Sequence, residues 1–182
     1  MLSEQRSVKA SSFLITIGLW HVQELVLTQQ KIDWLWSQVK RYPTLFSDLT
    51  KGKAHAFLDL LEVPYSYWLE ILDTDDKTIG IVYVTDLGQQ IDANFHLFFV
   101  DRDLSNKSEL VKEILDHVFN KFPALHRLTA TMPDIYFATK RLAIKSGFKL
   151  EGTIRESLLI GGKWRHEARY GILAKEVLNG ND

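Results

Sequence analysis

The chain has 182 residues, 46% hydrophobic and 25% charged, with a formal net charge of −1. This is the length of one globular domain with enough apolar material for a full core, and its near-neutral balance excludes a broad electrostatic pull toward nucleic acid or an acidic membrane. It contains no cysteine, which excludes disulfides, thiolate nucleophiles and cysteine-ligated zinc and agrees with a reducing cytoplasm; no stretch approaches the roughly 20 apolar residues of a membrane span.

The first stretch, "MLSEQRSVKASSFLITIGLWH", sets Arg6 and Lys9 ahead of a short apolar run. No small-residue cleavage site follows the run "FLITIGLW", so it reads as a β-strand after a frayed tail rather than a secretory signal. "KIDWLWSQVKRY" places Ile32, Leu35, Trp36 and Val39 on one face of a helix, and Pro43 disfavours helical geometry at Tyr42. "KAHAFLDLLE" predicts a second short helix with Phe57, Leu58 and Leu61 inward. Three strand-like runs follow, "YSYWLEIL", "IGIVYVTDL" and "ANFHLFFV", separated by the short turns "DTDDKT" and "GQQ". Such short turns predict an antiparallel meander, and the nearly continuous apolar third run predicts a strand covered on both faces.

The period then changes. "SELVKEILDHVFNKF" puts Leu110, Val111, Ile114, Leu115, Val118 and Phe119 on one helical face, with Asn106 and Glu109 at the spacing of a capping box. "LHRLTATM" predicts a strand and "IYFATKRLAIKS" a helix closed by Gly147. "FKLEGTIRESLLI", then Gly161–Gly162, then "KWRHEARYGILAKEV" predicts a long hairpin. A strand–helix–strand step around residues 108–121 requires a crossover and hence one parallel pair. The expected class is α/β (α+β), a mixed, mostly antiparallel sheet with flanking helices.

Several segments carry a family likeness: "LDHVF", Leu125–His126–Arg127, "KSGFKLEGTIRE" with Gly147–Phe148 and Arg155–Glu156, and "LLIGGKW". In order and rough spacing they resemble the GNAT superfamily of N-acetyltransferases, most of all its RimJ/RimL branch of ribosomal-protein N-terminal acetyltransferases. The resemblance covers roughly residues 55–175, most specifically 125–165, within a single domain expected over residues 1–182. It implies two neighbouring parallel strands that splay apart, with acetyl-CoA in the gap, its thioester along "ANFHLFFV" near Phe99 and Val100, and its pyrophosphate on amides at the start of the next helix. A helix start suits phosphate because its N–H groups are unpaired and carry partial positive charge.

The chain departs from the family at that loop. Relatives place two small residues, usually glycines, before the helix so that the backbone approaches the phosphates closely. Here no glycine occurs between Gly88 and Gly147, and Asp101 and Asp103 add negative charge. By the resemblance the loop is also shortened, leaving Asp101, Ser105, Asn106, Lys107 and Ser108 as its cofactor-binding candidates. On the helix before Gly147, family Asn and Ser positions fall on Tyr136 and Thr139, and a common tyrosine acid on Ala143.

Acetyl transfer to an amine needs a base for the amine proton and a donor for the developing oxyanion. His96, inside the central apolar strand with Asn94 on the same side, is the first candidate base; Glu70 is the second, and His166 and Glu167 on the last strand are candidates to face the acceptor groove. The six histidines are scattered, so no metal site is expected. Two functions follow. One is a cytoplasmic N-acyltransferase taking acetyl-CoA and a primary amine acceptor, whether a protein N-terminus, a polyamine or another small molecule. The other is a GNAT fold without catalysis, serving as a binding or structural module. No nucleic acid or membrane partner is expected, and the sequence leaves the oligomeric state open.

Overall fold

The computed structural model describes residues 15–40, 53–89, 91–100 and 106–179. Eight strands form one sheet: β1 (Ile15–Ile17), β2 (Trp20–Glu24), β3 (Tyr67–Leu72), β4 (Thr78–Thr85), β5 (Asp92–Phe99), β6 (Arg127–Pro133), β7 (Lys149–Ile160) and β8 (Lys163–Leu173). Their spatial order is β1-β2-β3-β4-β5-β6-β8-β7, and every pairing is antiparallel except β5–β6. The helices are α1 (Gln29–Val39), α2 (Ala54–Leu61), α3 (Lys107–Lys121), α4 (Phe137–Lys145) and α5 (Ala174–Leu178). This is the mixed α/β architecture expected from the order of elements, with its one parallel pair where the crossover required it. No helix among the described residues is long and apolar enough to cross a membrane.

The sheet buries both faces of its first half. On one face α3 contributes Leu110, Val111, Ile114, Leu115, Val118 and Phe119, all buried, against Leu69, Ile71, Val82, Val84, Phe95 and Leu128. On the other, Leu35 and Val39 of α1 and Phe57 and Leu61 of α2 pack on Trp68 and Ile81. Alternation along each strand assigns the faces: Ala93 and Phe95 turn toward α3, so Asn94 and His96 turn toward the α1–α2 side. Leu58, expected inward, is 43% exposed; on a helix this short, the apolar stripe that reaches the sheet is narrower than the run of apolar letters.

Three local expectations are corrected. "FLITIGLW" is not one strand: Gly18 takes a left-handed φ of 60°, and the chain reverses there to pair Ile15 with Val22. The last strand stops at Leu173, because the Glu176 carboxylate accepts from the Leu173 amide at 2.9 Å and starts α5. Asn106 does not close a capping box. It sits at the start of α3 with φ 52° and no side-chain cap bond, whereas an N-cap side chain needs extended backbone to reach the helix amides.

Candidate active site

The parallel ladder between β5 and β6 covers only Asp92–Asn94 against Arg127–Thr129. Beyond it the strands separate, each held on its outer side: β5 continues to pair with β4 as far as Phe99, and β6 with β8 as far as Pro133. The closed end is stitched by Thr129 Oγ1, which donates to Asp92 Oδ1 at 2.9 Å, and by Arg127 Nε, 3.5 Å from the same oxygen. Gly171 on β8 lets Arg127 reach further across the sheet. A Cβ there would lie 2.3 Å from Glu151 Oε1 and 2.6 Å from an Arg127 nitrogen, so the missing side chain makes room for the Arg127–Glu151 ion pair of 2.6 Å.

Strand geometry decides which β5 amides line the gap. The Val100 amide donates to the Ile79 carbonyl at 2.8 Å, on the β4 side. Backbone groups alternate in direction along a strand, so the amides of Phe98, His96 and Asn94 also face β4. Those of Phe95, Leu97 and Phe99 therefore face β6; the Asn94–Thr129 step of the ladder takes the Phe95 amide, which leaves Leu97 and Phe99 facing the gap where the ladder has ended. A row of N–H and C=O groups without a strand partner is a template for an extended, amide-bearing ligand. Phe99 contributes its amide to this row and Val100 does not.

Because β5 and β6 are parallel, the helices that follow them both begin at the open end of the gap. Asn106, Lys107 and Ser108 start α3; Tyr136 and Thr139 lie at the N-terminus of α4. Lys107 Nζ sits 5.0 Å from the Phe99 ring centroid, which ties the helix start to the end of β5. Asn106 supplies the left-handed conformation usually given to glycine, and Asn enters that region more readily than other side chains. Asp101 and Ser105 lie outside the described residues. The first turn of α3 also carries Glu109, whose carboxyl is held below its ordinary range by its own backbone N–H and by the Ser108 hydroxyl at 3.0 Å. Tyr136 is half-buried and Thr139 exposed.

His96 is the third ring of a stack that crosses three strands. Trp68, Tyr83 and His96 occupy matched register positions, with centroids 4.4 Å apart at both steps and interplanar angles of 14° and 9°. Only the register of β3, β4 and β5 brings the three together. Burial pushes the His96 ring down to about 4, opposed by the charge of Asp86. Its Nε2 lies 3.5 Å from Thr85 Oγ1, which donates to Asp86 Oδ2 at 3.3 Å. Asp86, at φ 65°, also accepts from the Asn94 side-chain amide.

Glu70 is placed differently. Its partner on β4 is Ile81, whose partner on β5 is Phe98, so β4 and β5 separate it from the gap. Its carboxylate accepts from Gln23 at 2.9 Å, from Lys31 at 2.6 Å and from Thr78 at 3.0 Å. Every donor belongs to β2, α1 or β4, so Glu70 ties α1 to the sheet and has no free oxygen for an amine. His166 is also engaged: its Nδ1 accepts from the Glu156 amide at 2.9 Å. With Arg155 and Glu156 it lines an open groove of about 580 Å³ on the β7–β8 hairpin, across β6 from the gap. Among the described residues there is no cluster of three or more His, Cys, Asp or Glu side chains able to hold a metal ion.

The residues present fit a coenzyme A thioester: unpaired strand amides face an opening, and the N-termini of α3 and α4 stand at its mouth. Comparison with known proteins points the same way. Residues 23–168 match the family model described as an acetyltransferase (GNAT) domain. A probable N-acetyltransferase, YjcK of Bacillus subtilis, is 28% identical over 104 residues, 55% of this chain and 57% of that protein, so the match spans little more than half of that relative's length. In architecture the chain is similar to spermidine N-acetyltransferase SpeG of Vibrio cholerae. A mutant of that enzyme superposes with a TM-score of 0.71 at 16% identity, over 88% of this chain and 97% of that one. The complex of SpeG with CoA and spermine gives 0.70 at 15% identity, over 87% and 98%. The match over residues 23–168, carried by a sheet that opens between β5 and β6, makes this chain a member of the GNAT acetyltransferase domain family.

Proposed function

We propose that the protein is an acetyl-CoA-dependent N-acetyltransferase acting on the primary amine of a small molecule, with residues 1–182 as its single catalytic domain, working in the cytoplasm. The observation that carries this reading is the pair of Leu97 and Phe99 amides facing a gap that β6 leaves open. Acetyl-CoA supplies an activated acetyl thioester. The β5 amides hold its pantetheine arm, and one of them donates to the oxygen on which negative charge develops. Asn106, Lys107 and Ser108 at α3, with Tyr136 and Thr139 at α4, take the diphosphate end. The nearness of the fold to spermidine acetyltransferases favours a free amine, polyamines included, over a ribosomal protein N-terminus of the RimJ/RimL kind.

His96 takes the proton that the attacking nitrogen gives up. A ring with a pKa near 4 is a poor base toward a free alkylammonium. It suits a nitrogen that arrives neutral and becomes acidic as it bonds to the carbonyl carbon. At neutral pH the ring is uncharged and its lone pair is available. Glu70 has no part in this step.

A second reading, a GNAT fold kept for binding alone, draws on Glu109, whose carboxylate occupies donors of the helix end where a diphosphate would sit. Titration with acetyl-CoA separates the two. Ligand at about 100 times its Kd stabilises the protein by about 2.7 kcal/mol, and a panel of spermidine, a short alkylamine and an N-terminal peptide then reads acceptor class. Millimolar acetyl-CoA that leaves Tm unchanged would leave only the binding module.

A further inference from the structure

The molecule holds a polar chain that the reaction as proposed does not use. Among the described residues, the His96 ring has one hydrogen-bonding neighbour, Thr85 Oγ1, 3.5 Å from Nε2. The Thr85 hydroxyl has one proton to give, and Asp86 Oδ2 receives it at 3.3 Å. Its oxygen is then left as an acceptor, which assigns the ring proton to Nε2 and the lone pair to Nδ1. The carboxylate is held in turn. Asp86 adopts a left-handed φ of 65° immediately after β4, and the Asn94 amide, beside His96 on the same face of β5, donates to the same oxygen. Thr85 is buried at the register position opposite Asn94, so matched positions of β4 and β5 fix the two residues on either side of Asp86's carboxylate. A non-glycine residue in left-handed backbone is kept where the surroundings hold it.

The geometry points to Thr85 and Asp86 as positioning residues for the transfer: they fix the His96 tautomer with Nδ1 open toward the acceptor amine and hold the imidazolium once it forms. This rests on the reading of His96 as proton acceptor. When the ring gains a proton at Nδ1, both nitrogens carry hydrogen. Nε2–H then donates to Thr85 Oγ1, and the Thr85 proton stays directed at the anionic Asp86. The positive charge is thus met one hydroxyl away by a negative one, the role a carboxylate plays behind a catalytic histidine, with an alcohol interposed. Asp86 is the charge that acts on the ring, and it acts against burial. Tyr83, stacked on the ring face, is pushed up to about 12 and stays neutral. The stack itself therefore adds orientation and no charge.

The test uses the whole protein with acetyl-CoA and an amine that it turns over. Asp86→Asn and Thr85→Val each lower kcat about ten-fold or more with the KM for acetyl-CoA within about two-fold, and Thr85→Ser, which keeps the hydroxyl, restores most of the rate. The acidic limb of the kcat profile moves to lower pH in Asp86→Asn, because the imidazolium has lost its counter-charge. Nitrogen-15 NMR of the His96 ring reads the same effect without turnover: the Nε2–H tautomer in the parent, a mixture and a lower titration midpoint in Asp86→Asn. If His96→Gln lowers kcat but Asp86→Asn changes neither kcat nor the ring's tautomer and midpoint, the positioning role is wrong and the base survives. If His96→Gln leaves kcat unchanged, both fall.

Discussion

Replacing Glu70 by Gln distinguishes a structural carboxylate from a catalytic one. The side chain is about 7% exposed and receives three donors, while Lys31, its ionic partner at 2.6 Å, is 25% exposed. Removing one partner of a fully buried ion pair costs about 3–5 kcal/mol. Here the lysine can turn its ammonium toward water, which cuts that penalty. The new amide also brings an NH₂ group to face Gln23 and Thr78, which donate to the existing carboxylate. The expected loss is about 2–3 kcal/mol, or about 5–10 °C in Tm for a domain of this size. Urea denaturation of Glu70→Gln, Lys31→Met and the double variant gives the coupling between the two side chains, expected at about 1–3 kcal/mol. At a temperature where every variant is folded, kcat stays within a factor of about three of the parent. A loss of stability under about 0.5 kcal/mol, or a hundred-fold loss of kcat in a fully folded variant, would show that the anchoring argument is wrong and return Glu70 to the catalytic machinery.

Other outcomes follow from the same geometry. Glu109→Gln removes a negative charge from the helix end at the mouth of the gap and should tighten acetyl-CoA about two- to five-fold by calorimetry; weaker binding would mean that the diphosphate sits elsewhere. His96 is lowered to about 4 in the folded chain from an ordinary 6.5, so the unfolded chain binds more protons between those values and stability falls as the solution is acidified through that window. The expected loss is about 2 kcal/mol between pH 7.5 and pH 5, and His96→Gln should flatten that part of the curve; an equal slope in the variant would place the acid sensitivity elsewhere. Ile114→Ala, at a fully buried α3 position, should cost about 2–5 kcal/mol in chemical denaturation, and a cost under 1 kcal/mol would mean that the α3 face is packed less closely than described.

The fold was legible wherever a period was long and clean. The six apolar residues of α3 recur at helical spacing, and all six are buried. Gly161 and Gly162 stand between two strand-like runs and make a hairpin turn with φ values of 61° and 70°. Element boundaries were hidden where one apolar run contained two elements. In "FLITIGLW" no polar residue marks the reversal at Gly18, and in "RYGILAKEV" the strand passes into α5 without a break in hydrophobicity. At the site, single positions were readable and their relations were not. His96 stood out inside an apolar strand, but Trp68 and Tyr83 join it only through register, which depends on how the two turns before β4 and β5 close. Glu70 looked like a spare carboxylate because its partners Gln23 and Lys31 lie 47 and 39 residues away in sequence. The absence of glycine before α3 marked a departure from the family loop, and Asn106 takes the left-handed conformation there, a substitution that residue type alone only weakly signals.

Amide hydrogen exchange at two β5 positions, Leu97 and Phe99, tests the central claim most directly. If the gap between β5 and β6 is open and receives acetyl-CoA, the amides of Leu97 and Phe99 exchange readily in the free protein, while that of Phe95, bonded to β6, and those of Asn94, His96 and Phe98, bonded to β4, are protected; saturating acetyl-CoA then slows the first two. Protection of Leu97 and Phe99 in the free protein equal to that of their neighbours, or exchange unchanged by the ligand, would contradict it.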